Sequence, residues 1–66
     1  MEMIIAILLW LQAMCGGGRY TQVEYDMMVH RNEEVINQVL LDPALKNSVW
    51  EEERVIVPTV VIIDGQ

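Results

Sequence analysis

Cysteine is nearly absent: Cys15 is the only one, so no intrachain disulfide can form, and with His30 the only histidine there is no Cys/His cluster to hold zinc. Lys and Arg are scarce, four against ten Asp and Glu, and the formal net charge is −6 at pH 7. A phosphate backbone needs a basic face to displace its counterions, so no nucleic acid is expected as a partner. Basic residues are also missing from the start of the chain, where Glu2 leads into apolar sequence and Met14 directly precedes Cys15. A signal peptide wants a basic n-region and small residues before its cleavage site, and a lipoprotein cysteine wants a small residue before it, so export is not expected. A single free cysteine suits a reducing cytoplasm. The longest apolar run, residues 3–14, would make a helix of about 18 Å against a hydrocarbon core of about 30 Å, too short for a membrane span.

What is present is apolar: 53% of the 66 residues. A chain of this length makes one domain and buries only about 60% of the surface its unfolded form exposes, so its own core is marginal. Disulfides, metal or a partner usually make up the difference, and the first two are unavailable to this composition. A partner chain is therefore expected to cover part of the apolar surface.

The first segment, Met3 to Leu11, is apolar on nearly every residue and opens with β-branched Ile4, Ile5 and Ile7. Periodicity cannot separate a doubly buried strand from a buried helix here; the β-branched start favours strand. Gly16-Gly17-Gly18 ends it. Thr21 followed by Glu24 fits a capping box, with Tyr20 and Tyr25 placed as a hydrophobic staple, so a helix is expected over Gln22 to His30 with Val23 and Met27 on one face. Asn32 is the candidate N-cap of a second helix, with Glu33 and Glu34 in its first turn. Val35, Ile36, Val39 and Leu40 form its apolar face, and Asp42-Pro43 stops it. Leu45, Val49 and Trp50 are expected to fold back over that face in a loop or short turn. Arg54 to Ile63 reads as two short strands broken at Pro58, which has no amide to donate. The expected fold class is α+β: a βααβ domain with two adjacent helices on a short antiparallel sheet, residues 3–11 pairing with 54–57.

This order, with its helices nearly abutting, resembles the LysM fold and more closely the LysM-like tail protein X family of contractile phage tails and tail-like bacteriocins. The resemblance covers about residues 20–60 and rests on Val29-His30-Arg31-Asn32 at the corner between helices, Val39-Leu40-Leu41-Asp42-Pro43-Ala44-Leu45 at the end of the second, and Val55-Ile56-Val57-Pro58 as a closing strand. Gly17-Gly18-Arg19-Tyr20-Thr21 stands where the family has a Gly-Asp-Thr turn, and Arg31 stands for its corner glycine. The resemblance implies a non-catalytic structural component of a virion tail or baseplate, oligomeric within the assembly, joining tube, hub or spike proteins. It would occupy the host cytoplasm during assembly. A glycan-binding LysM module is the alternative, and a membrane-surface protein using residues 3–14 a third reading.

The candidate interface comprises the two apolar arms, residues 3–11 and 59–63, through Ile4, Ile5, Leu8 and Trp10, with Trp50, and through Val60, Val61, Ile62 and Ile63. Residues 59–66 are expected to extend from the domain toward a partner, where strand addition to a neighbouring sheet would give affinity and register. No catalytic residue or cofactor is expected. Glu33 and Glu34 are explained by the helix dipole, Ser48 has no nucleophile-elbow context, and Cys15 beside three glycines reads as an inert small residue. Glu51-Glu52-Glu53 reads as a solvated turn or an electrostatic docking patch for a basic partner. Trp10, Trp50, Tyr20 and Tyr25 suit packing or interface anchoring better than sugar stacking.

Overall fold

The computed structural model describes residues 2–64. Its element order is α1 (Glu2–Trp10), β1 (Arg19–Thr21), α2 (Gln22–Arg31), α3 (Glu33–Leu41), α4 (Pro43–Glu53), a 3₁₀ turn (Val57–Thr59) and β2 (Val61–Ile63). The α+β class holds, while the βααβ order and the antiparallel sheet do not.

The segment expected as a strand is the central helix. Ile5, Ala6, Ile7, Leu8 and Leu9 are all buried, the signature of a helix enclosed on every side. It packs most extensively on α4, and also on α2, α3 and the 3₁₀ turn. A strand apolar on both faces is best served by hydrogen-bonded strands on both edges, and the two strands among the described residues have three residues each. A helix satisfies its own amides and can then be covered by side chains alone. It ends in a Schellman motif: the Ala13 N–H donates to the Leu8 carbonyl at 2.9 Å and the Gln12 N–H to the Leu9 carbonyl at 3.0 Å. Gln12 takes the left-handed conformation this motif requires, at φ 63°.

The glycine turn then docks on the C-terminal segment. Gly17, at φ 77°, donates its N–H to Thr59 Oγ1 at 2.9 Å, and the Thr59 hydroxyl donates to the Ile56 carbonyl at 2.7 Å. A Cβ on Gly18 would lie 2.7 Å from the Tyr20 ring, whose hydroxyl accepts the Cys15 N–H at 2.9 Å. Strand β1 runs directly into α2 through the capping box, with Thr21 Oγ1 accepting from the Glu24 amide at 3.1 Å and the Glu24 carboxylate accepting from the Thr21 amide at 2.8 Å.

Asn32 occupies the N-cap position of α3 but does not cap it with its side chain, which donates instead to the Met28 carbonyl at 2.7 Å and finishes α2. Ile36 and Val39 form the buried face of α3, leaving Val35 and Leu40 exposed. Asp42-Pro43 ends α3 as expected, and it also begins a helix where a loop was expected. Asp42 Oδ1 accepts from the Leu45 amide at 3.3 Å, and Pro43 sits in the first turn, where its missing amide costs nothing. Val49 is then fully buried, with Leu45 and Trp50 packed partly buried against the core.

Three helices, not two, lie between the strands, and β2 pairs with β1 in parallel. The register pairs Arg19 with Val61, Tyr20 with Ile62 and Thr21 with Ile63. Residues 54–57 form no strand: the Ile56 N–H donates to the Glu53 carbonyl at 2.9 Å and the 3₁₀ turn follows through Pro58. The expected pairing of 3–11 with 54–57 is thus replaced by packing of α1 against the 3₁₀ turn. Residues 59–64 do not stand clear of the domain, since Thr59 clasps Gly17, Val60 is buried and β2 pairs with β1. Gly65 and Gln66, the end of the expected extension, lie outside the described residues.

Candidate partner-binding surface

The expected interface is split by the fold. Ile5 and Leu8 are enclosed in α1, and Val60 joins the same core. Ile4, Trp10, Trp50 and Ile62 are half-buried and packed against that core, and Ile63 is half-buried beside them in sequence. Of the nine residues only Val61, 40% exposed, presents a large apolar side chain to solvent. The first apolar arm is thus enclosed at Ile5 and Leu8 and half-buried at Ile4 and Trp10, and the second presents Val61 and its strand edge.

The surplus apolar surface emerges elsewhere. Leu41 at the end of α3 is 83% exposed and Val55 after α4 is 72% exposed. On α2, Val23 is 57% and Met27 48% exposed. These two share one face, as expected from their spacing of four, and that face is exposed. The face that α2 buries carries Tyr25, with Met28 and Val29 packed beside it, and this spacing of three and four is equally amphipathic. Tyr25 was the available signal, since the staple position commits that side of the helix inward.

Strand β2 supplies a second kind of contact. The Val61 N–H donates to the Gly18 carbonyl at 3.0 Å, so alternation along a parallel ladder turns the backbone groups of Ile62 away from β1. Among the described residues the sheet has two strands, and no third strand pairs with that edge.

The charged groups lie on the outside. Glu51-Glu52-Glu53 is the last turn of α4 rather than a loop, with Glu51 and Glu52 exposed. Arg54 pairs with Glu51 at 3.5 Å and His30 with Glu33 at 3.9 Å, both in solvent where such pairs contribute little. Burial, and then the nearby Asp26 carboxylate, push the Tyr25 hydroxyl above its ordinary pKa. An open groove of about 460 Å³ runs past Ile4, Tyr25, Asp26, Val29, His30 and Glu33. Among the described residues no group of three His, Cys, Asp or Glu side chains is arranged to hold a metal ion, and no helix is long and apolar enough to cross a membrane. The four aromatics are dispersed: Tyr25 is buried, Tyr20 is held against the glycine turn, and Trp10 and Trp50 pack partly buried against the core. Comparison with family models, with curated proteins and with solved structures finds no match to this chain.

Proposed function

We propose that this chain is a small structural module that works by protein–protein contact inside a larger assembly. The particular assembly its motifs suggest is a phage tail or tail-like particle, where it would join tube, hub or spike proteins. The observation that supports contact with a partner is that Leu41, Val55, Val23 and Met27 remain exposed around a core that is already complete. Large apolar side chains left in water on a small domain can be covered by association. The open edge of β2 adds main-chain groups for a neighbouring strand. The suggestion of a tail rests on the resemblance over residues 20–60, whose corner falls at the α2–α3 junction and whose Asp42-Pro43 falls at the α3–α4 junction. The third helix and the parallel strands depart from the order which that resemblance implies.

The test is incorporation. A tagged full-length chain, produced together with the tail genes of its source, should sediment with assembled particles. The exposed-site variants Leu41→Lys and Val55→Lys should keep the wild-type CD spectrum yet be depleted from them. A chain found wholly outside purified particles would remove the tail reading, and undiminished incorporation of both variants would remove the apolar sites as the means of attachment.

A further inference from the structure

The outer face of α2 is complementary to itself. Met27 forms a ridge with a shallow depression on each side. One, of about 300 Å³, is lined by Val23, Asp26, Met27, His30 and Arg31. The other, of about 360 Å³, is lined by Ala13, Tyr20, Glu24, Met27 and Met28, and Arg31 borders both. A helix bearing a ridge between grooves can receive the ridge of an identical helix. The charges extend this match. At about 100° per residue, Glu24 and Arg31 fall on one flank of Met27, an acid about one turn before it and a base about one turn after. Asp26 and His30 fall on the opposite flank, again acid before base. A two-fold axis through Met27, perpendicular to the helix pair, sets each flank against the same flank of the second copy with its direction reversed. Glu24 then meets Arg31 of the second copy, and Asp26 meets His30 of the second copy, each pair occurring twice. One oxygen of Glu24 remains for this after the other has closed the capping box.

We propose that this face of α2 is a homotypic contact, through which two copies of the chain pack antiparallel about Met27. A parallel pairing about a two-fold along the helices would set the flank of Glu24 and Arg31 against the flank of Asp26 and His30, acid against acid and base against base, so the charge order selects the antiparallel arrangement. The contact is small, one helix of ten residues from each copy, well under the roughly 800 Å² per partner of a standard stable interface. Its dissociation constant should accordingly lie on the order of 10–1000 µM, and copies held near one another in an assembly would reach that concentration locally. This names one partner for the interaction module proposed above, and it stands or falls separately from tail incorporation.

Sedimentation equilibrium of the full chain from about 10 µM to about 1 mM reads the outcome directly. The wild type should fit a monomer–dimer equilibrium. Met27→Asp should raise the dissociation constant at least about tenfold and Met27→Leu should preserve it, with CD confirming that both are folded. Asp26→Lys and His30→Glu should each weaken association. Their equimolar mixture should associate more tightly than either alone, because the ammonium introduced in one chain then faces the carboxylate introduced in the other. A wild type that stays monomeric at the highest concentration, dimers indifferent to Met27→Asp, or a mixture no tighter than its parts would each overturn the proposal. Incorporation into tail particles would be unaffected by any of these results.

Discussion

Two strongly apolar stretches of this chain have opposite fates. Residues 3–11 and 59–63 are both dominated by Ile, Val and Leu, yet the first becomes a helix sealed at the centre and the second a strand at the margin. The difference lies in where the backbone finds its hydrogen bonds. Glu2–Trp10 closes them within itself and needs only side-chain neighbours, which α2, α3, α4 and the 3₁₀ turn supply. Val61–Ile63 is too short to close its own, so it borrows them from Arg19–Thr21 and leaves its other edge unpaired by any described strand. Apolar composition shows that a segment prefers to leave water, and hydrogen bonding decides how completely it can.

The most damaging test of that contrast is to end the chain after Pro58. The truncation removes the Thr59 clasp on Gly17, the buried Val60 and all of β2, so helical CD should be lost cooperatively in a domain this small. Helices that survive the cut would make β2 an accessory strand and widen its difference from α1. Next in size is a paired substitution. Leu8→Ala at a fully buried position should cost about 3 kcal/mol, whereas Val61→Lys on the outer side of β2 should stay within about 0.5 kcal/mol. Urea titration followed at 222 nm measures both, and comparable losses would erase the distinction between centre and margin.

Local chemistry was legible and topology was not. Thr21 and Glu24 announce α2, which starts where the capping box places it and runs one residue past His30. Asp42-Pro43 announces an ending as well as a beginning, because an Asp at the N-cap followed by Pro is also a start signal. Reading only the stop hid α4, and with it the order of three helices between two parallel strands. The helical state of α1 was hidden for a different reason: Met3 to Leu11 has no polar face, and what surrounds it is decided by residues far along the chain, such as Val49 and Val57. The interface suffered from the same gap. Val61 stays on the surface, while Ile5, Leu8 and Val60 are claimed by the core and the exposed Val23 and Met27 were left out of the interface.

The ends of α1 and α4 carry smaller contrasts of the same kind. Gln12 holds the left-handed C′ position of the Schellman motif, which strains an L-residue by about 1–2 kcal/mol, and glycine there gives back part of that as chain entropy. Gln12→Gly should therefore raise stability by about 0.5–1 kcal/mol, independently of salt. At the end of α4, Glu51, Glu52 and Glu53 place three carboxylates against the negative end of the helix dipole, and the last turn contains no basic residue. Glu52→Lys removes one repulsion and adds a favourable charge at an exposed site, so it should stabilise by about 0.3–1 kcal/mol at low ionic strength. Because solvent ions screen it, that gain should shrink markedly near 1 M salt, where the Debye length falls to about 3 Å, while the Gln12→Gly gain persists. If the two gains respond alike to salt, the strain assigned to Gln12 is electrostatic in origin and the left-handed turn costs less than its dihedral implies.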